Sequence, residues 1–154
     1  MTVQKEKDVD VLVVEDSVDD SELTQYAMMQ GNDNIQFLHF NDGVEALNFI
    51  FARRRYAGHK IQTGLKLIIL DLGLPTMSGL DFLKIIREDN ATKMLPVVIL
   101  TSSTDQHDMT AAYELGANSY VVKPNGFDSY VKKIGSLAFY WSRVNERPYK
   151  TRTP

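Results

Sequence analysis

Four short apolar runs each end in a polar residue able to do chemistry. Val11-Leu12-Val13-Val14 is followed by Glu15 and Asp16, and Leu67-Ile68-Ile69-Leu70 by Asp71. Val97-Val98-Ile99-Leu100 is followed by Thr101, and Tyr120-Val121-Val122 by Lys123. An aspartate carboxylate can attack a phosphoryl donor and hold the group as an acyl phosphate. Negative charge on the group in flight is neutralised in proteins by Mg²⁺ and a cationic side chain. Mg²⁺ takes oxygen ligands in near-octahedral geometry, using one or two carboxylates and keeping several waters. Asp16 and Asp71 are candidate direct ligands, Glu15 a ligand directly or through water, and the backbone carbonyl of Gly73 a further oxygen. Lys123 is a point charge suited to pairing with Asp71 at rest and with phosphoryl oxygens afterwards. Thr101 supplies a hydroxyl donor.

Taken singly, each of these residues has a plainer use. An Asp after a strand starts a turn or caps a helix. Asp16 or Ser17 can cap the helix that follows, with Asp19, Asp20 and Glu22 at its positive end. Thr101-Ser102-Ser103 can form a strand-end turn that caps the next helix. A Lys at a strand end is commonly just solvated. Convergence changes the balance. Three carboxylates in one small volume repel unless a cation or proton joins them, which favours a metal site over a structural cluster.

The residues meet only if the runs are neighbouring parallel strands. Short β-branched runs separated by amphipathic stretches predict buried parallel strands joined by helices. Strands are expected near 9–15, 34–40, 66–71, 96–100 and 118–122, and helices near 17–30, 43–55, 79–88, 105–115 and 126–145. Gly31, Gly116 and Pro148 are suitable stops after helices one, four and five, and Pro96 opens the fourth strand where a missing amide is tolerated. The βα alternation with right-handed crossovers implies an α/β, flavodoxin-like (βα)5 doubly wound sandwich, its five-stranded parallel sheet in the order 2-1-3-4-5. Ligands of such sheets bind outside the carboxyl ends of the strands, where the five polar residues fall.

Composition sets the outer bounds. A chain of 154 residues with 44% apolar and 24% charged residues reads as one ordinary globular domain. Expected boundaries are an arm over 1–8, the domain over 9–145 and a tail over 146–154. There is no cysteine, so neither disulfides nor thiolate chemistry is available. Met1 to Asp10 lacks the apolar core of a signal peptide, and no apolar run approaches the roughly 20 residues that span a bilayer. A net charge of −3 gives no general electrostatic reason to bind nucleic acid. The expectation is a cytoplasmic protein with no membrane and no direct nucleic-acid contact. Two basic stretches stand out: Arg53 to Gly64, long for a helix-to-strand loop, and the tail with Arg147, Lys150 and Arg152. Solvated surface is the ordinary role of both.

The constellation resembles the receiver domain of two-component response regulators. The family's marks are an acid pair after the first strand, a phosphoacceptor Asp after the third, Thr or Ser after the fourth and Lys-Pro after the fifth. They are matched by Glu15 and Asp16, Asp71, Thr101, and Lys123-Pro124. Asp71-Leu72-Gly73-Leu74-Pro75, Met77-Ser78-Gly79 and the aromatic Tyr120 agree with it. The resemblance implies Asp71 as phosphoacceptor and Mg²⁺ or Mn²⁺ held by Glu15, Asp16, Asp71 and the Gly73 carbonyl. It also implies Thr101 and Lys123 as phosphoryl contacts and Tyr120 as an aromatic switch. The donor is then a sensor histidine kinase, and the protein is a signalling switch with slow autodephosphorylation, not a turnover enzyme. Gly73 departs from the family, where Asn or a larger residue is common, so the phosphoryl lifetime is expected to differ. The long basic loop and Phe139-Tyr140-Trp141-Ser142-Arg143-Val144 look like the cyanobacterial phytochrome-associated stand-alone regulators. That closer likeness implies a phytochrome kinase as partner, with no DNA-binding module attached.

A helical wheel of the fifth helix puts Phe127, Tyr130, Val131, Ile134, Ala138 and Trp141 on a stripe facing the sheet. Leu137, Tyr140 and Val144 widen it into a surplus apolar flank, an expected homodimer surface of the fourth helix, fifth strand and fifth helix. The alternative is that the flank packs under the tail from Glu146. Two other functions compete with the switch. A metal-dependent phosphatase with an aspartyl-phosphate intermediate would use the same nucleophile, but haloacid-dehalogenase-type enzymes place a second Asp, as general acid, where Gly73 stands. A flavodoxin-like nucleotide- or flavin-binding module needs a Gly-rich phosphate loop, and none follows any strand.

Overall fold

The computed structural model describes residues 8–30 and 34–148. The expected arm before Asp8, the stop at Gly31 and the tail beyond Pro148 lie outside the described residues. The chain runs β1 (Val11–Val14), α1 (Val18–Met29), β2 (Phe37–Phe40), α2 (Gly43–Ile50), a 3-10 turn (Arg54–Tyr56) and β3 (Leu67–Leu70). It continues as α3 (Gly79–Glu88), β4 (Val97–Thr101), α4 (Gln106–Glu114), β5 (Ser119–Val122), α5 (Phe127–Phe139) and a π turn (Tyr140–Val144). All strand pairs are parallel, in the order β2-β1-β3-β4-β5. This is the flavodoxin-like sandwich that the alternation predicts.

Side chains in a strand alternate between faces. Leu12, Val14, Ile68, Leu70, Val97 and Ile99 point to one side, where Ala46, Leu47 and Ile50 of α2 and Phe82, Leu83 and Ile86 of α3 bury them. Val11, Val13, Leu67, Ile69, Val98 and Leu100 point to the other, against Ala27 and Met28 of α1 and Tyr130, Ile134 and Ala138 of α5. Both faces of the central strands are covered, which is why they read as unbroken apolar runs. Register is set by the same burial: Val14 lies beside Leu70, Leu70 beside Ile99 and Thr101 beside Val122.

Helix starts follow their caps. Ser17, Asp42, Ser78 and Asp105 each accept a backbone N–H in the first turn of α1, α2, α3 and α4. Asp105 therefore caps α4, and the Thr101 to Ser103 stretch does not. Arg87 ties the end of α3 to the entry of β4 and β5. Its Nε donates to the Gly116 carbonyl at 2.8 Å, its Nη1 to the Leu95 carbonyl at 2.7 Å and its Nη2 to Asn118 Oδ1 at 2.8 Å.

Two expectations need correction. The second helix stops at Ile50, not near 55. The Ala52 N–H turns back to the Phe49 carbonyl and the Arg53 N–H to the Asn48 carbonyl, a Schellman end with Ala52 left-handed at φ 54°. No glycine marks the spot, so periodicity alone runs past it. In α5, Tyr130, Ile134 and Ala138 do face the sheet, but Phe127 is 57% exposed. It stands in the first turn and meets the ring of Tyr26 on α1 at 5.6 Å instead of the sheet. The flank residues Tyr140 and Val144 are exposed as well. Among the described tail residues, Arg147 reaches the Gly64 and Leu65 carbonyls at 2.8 and 2.9 Å.

A left-handed alanine costs roughly 1–2 kcal/mol, offset in part by glycine's greater loss of chain freedom. Ala52→Gly should therefore raise unfolding stability by about 0.5–1 kcal/mol, read as a higher denaturant midpoint with unchanged slope. A lower midpoint contradicts the left-handed helix end.

Candidate functional site

The parallel ladder continues one residue past three strands. The Glu15 N–H donates to the Phe40 carbonyl at 3.0 Å, that of Asp71 to Val14 at 3.0 Å and that of Lys123 to Thr101 at 2.8 Å. Pleat parity then sorts the side chains. Glu15 follows Val11 and Val13, Asp71 follows Leu67 and Ile69, and Lys123 follows Val121, all of them on the α1 and α5 side. Thr101 follows Val97 and Ile99, and Tyr120 packs on the same opposite side, toward α3 and α4.

The first group closes on itself. The Lys123 ammonium donates to Glu15 Oε2, Asp20 Oδ2 and Asp71 Oδ2, each at 2.8 Å, using all three of its hydrogens. Glu15 is 4% exposed, its Oε1 accepting the Ser17 N–H at 3.0 Å, and Asp71 Oδ1 accepts the Gly73 N–H at 3.2 Å. Burial, reinforced by the neighbouring Asp71 carboxylate, raises the Glu15 pKa to about 7 against the opposing pull of Lys123 and the Ser17 amide. Burial also acts to raise the Asp71 pKa, but hydrogen bonds from Glu15 and Lys123, the ammonium's charge and the Gly73 amide together hold it below the ordinary value. Lys123 itself is raised: burial would lower it, and the bonds to Asp20, Asp71 and Glu15 overcome that. Close approach of α3 completes the wall. A Cβ on Gly79 would lie 2.3 Å from the Asp71 carbonyl oxygen, so only glycine lets this helix start under the strand end.

On the other side, Asp71, Gly73, Thr101, Ser103 and Asp108 line a cavity of about 470 Å³. The buried Thr101 Oγ1 accepts the Ser103 N–H at 3.3 Å, and Ser103 Oγ donates to Asp108 at 2.6 Å. Tyr120 is half-buried, and its hydroxyl donates to the Ser103 carbonyl at 3.0 Å. Asp71 thus stands between the Lys123 ammonium and an open cavity walled by a hydroxyl.

Of the residues singled out in the sequence, Glu15, Asp71 and Lys123 are in direct contact, and Thr101 and Gly73 share the cavity with Asp71. Asp16 is exposed beside them, and Tyr120 lies behind the loop that follows β4. One member of the cluster is additional. Asp20 was legible only as a favourable charge at a helix start; its place one turn after Asp16 on the capped α1 was the available signal. The donor types suit a hard divalent cation, since one ammonium leaves surplus charge among Glu15, Asp20 and Asp71 and Asp16 stands free alongside. Among the described residues no three acidic or histidine side chains are already arranged as metal ligands, because Lys123 occupies the centre of the group.

Residues 11–135 match the model of the response regulator receiver domain. The chain belongs to that family. It is 31% identical over 131 residues to the response regulator Rcp1 of Synechocystis sp., covering 85% of this chain and 87% of that protein. The phosphorylated cyanobacterial phytochrome response regulator RcpA superposes with a TM-score of 0.84 at 26% identity, over 93% of this receiver chain and all of the other. The Mn²⁺-bound form of Rcp1 superposes with a TM-score of 0.82 at 30% identity, over 90% and 98%. Among the described residues of this response regulator, no helix is long and apolar enough to cross a membrane.

The pKa directions carry a consequence for stability without divalent cation. Glu15 binds its proton more tightly folded than unfolded, so its contribution is full below pH 4.5 and is lost as pH rises to about 7. Asp71, shifted the other way, weakens the fold only in stronger acid, below its ordinary value of 3.8. In EDTA the receiver should be less stable at pH 7.5 than at pH 5 by on the order of 2 kcal/mol. Glu15→Gln should flatten that slope. An equal slope in the variant, measured by urea unfolding, contradicts the assignment.

Proposed function

We propose that this receiver accepts a phosphoryl group on Asp71 from a sensor histidine kinase and thereby switches a partner-binding surface. The observation that carries the reading is the position of Asp71, whose carboxylate is fixed by the Lys123 ammonium at 2.8 Å on one side and faces the Thr101 cavity on the other. An Asp71 oxygen forms the new bond to phosphorus as the donor's bond breaks, its electron pair leaving with the donor. Lys123 turns one N–H from Asp71 to a phosphoryl oxygen, and the Thr101 hydroxyl donates to another. Asp16, Asp71, Glu15 and the Gly73 carbonyl are the residues that would hold Mg²⁺ or Mn²⁺, which supplies charge neutralisation for the transferring group. Drawing Thr101 toward that group pulls on the loop whose Ser103 carbonyl holds the Tyr120 hydroxyl. Tyr120 is in this way the link from the site to the surface of α4, β5 and α5.

Acetyl phosphate should label the wild type in the presence of Mg²⁺ but not Asp71→Asn, and EDTA should abolish the label. Undiminished labelling of the variant sinks the assignment. The likeness to Rcp1 and to RcpA, whose name ties it to a cyanobacterial phytochrome, supports a phytochrome kinase as the donor.

The output surface in this reading includes a second copy of the chain. A cavity of about 560 Å³ between β5 and α5 is lined by Val121, Leu137, Tyr140 and Trp141, with Lys132 and Lys133 at its rim. Sedimentation at micromolar concentration should show a dimer that Tyr140→Glu converts to monomer. A wild type that is monomeric with and without a phosphate analogue removes the interface.

A further inference from the structure

Asp20 belongs to none of the five positions that define the receiver pattern, yet its carboxylate takes one of the three hydrogens of Lys123 at 2.8 Å. Its place is rigidly set. Ser17 caps α1 through the Asp20 N–H itself, at 3.2 Å. One turn on, Thr24 exchanges a buried hydrogen bond of 2.8 Å with Tyr130 of α5, which locks that face of α1 against the neighbouring helix. The Lys123 stem, by contrast, is a flexible four-carbon chain whose ammonium has no fixed direction of its own.

The three partners of Lys123 do not have equivalent fates. In the function proposed above, Asp71 carries the phosphoryl group and Glu15 would help to hold the metal. Asp20 alone takes neither the phosphoryl group nor the metal and keeps its bond to Lys123 throughout. We infer that Asp20 is the positioning residue of the site, holding the Lys123 ammonium over Asp71 while its other two hydrogen bonds are exchanged. Asp20 does not touch the reacting atoms; it acts through the lysine. A displaced charge-neutralising group costs rate steeply, because transfer requires the cation where charge develops.

This inference rests on Asp71 being the phosphoacceptor, and the test separates the two. Initial rates of labelling by radioactive acetyl phosphate with Mg²⁺ are compared in wild type, Asp20→Asn and Asp20→Glu, and in Lys123→Met with and without Asp20→Asn. Asp20→Asn should label about tenfold more slowly, and Asp20→Glu should recover at least half of the wild-type rate. In the Lys123→Met background Asp20→Asn should change nothing further, an outcome that general disturbance of α1 does not produce. Removing a negative charge near an incoming anion speeds labelling if position is immaterial, so an Asp20→Asn rate equal to or above wild type overturns the inference alone. A slowing by Asp20→Asn that persists without Lys123 overturns it as well. Absence of any Asp71-dependent label in wild type overturns the phosphoacceptor reading and this inference together.

Discussion

One ammonium holds together what the sheet forces into contact. The register of β1 and β3 sets Glu15 beside Asp71, and the capped start of α1 brings Asp20 over them. Three carboxylates at that spacing repel, and burial strengthens the repulsion because the surroundings screen poorly. Lys123 Nζ answers all three at 2.8 Å. The cluster is nevertheless short of positive charge, and burial, with Asp71 alongside, raises the Glu15 pKa to about 7. A site left undercompensated in this way is chemically receptive. A fully neutralised one would have no reason to take up a cation.

The pleat divides the labour around this cluster. Odd-numbered positions of β1, β3 and β5 carry the charges toward α1 and α5, while Thr101 and Tyr120 follow the opposite face. Asp71 therefore has a cationic side and a hydroxyl side without any loop having to fold back over it. The hydroxyl side is mechanically connected, since the stretch after β4 links Thr101, Ser103, Asp108 and Tyr120 through hydrogen bonds of 2.6 to 3.3 Å. Thr101 and Tyr120 of β5 are thereby joined through the backbone of Ser103.

The long basic loop after α2 is built more than its composition suggests. Tyr56 packs edge-on against Phe40 and Phe49, Arg53 lies over the ring of Phe51, and Arg55 pairs with Glu45 at 3.0 Å. With the left-handed Ala52 and Arg54, these contacts pack the loop against α2 and the edge strand β2. Their worth is packing; exposed pairs such as Arg55 with Glu45 contribute little by themselves.

The sequence by itself determined the strand order and the edge at which the chemistry gathers. Unbroken apolar runs require a sheet covered on both faces, and parallel strands bring their carboxyl ends to one side whatever the intervening lengths. Glu15, Asp71, Thr101 and Lys123 were therefore identifiable as neighbours from spacing alone, and the closeness of their match named the family. The end of α2 escaped because a left-handed alanine leaves no compositional mark. Phe127 escaped because a helical wheel says which residues share a face but not where the sheet beneath it stops. Asp20 is the instructive case. A carboxylate one turn into a helix is usually a favourable charge near the dipole. Only the packing of α1 on α5, through Thr24 and Tyr130, decided that it points at Lys123, because side-chain direction across two elements is set by their relative rotation, which no local pattern encodes.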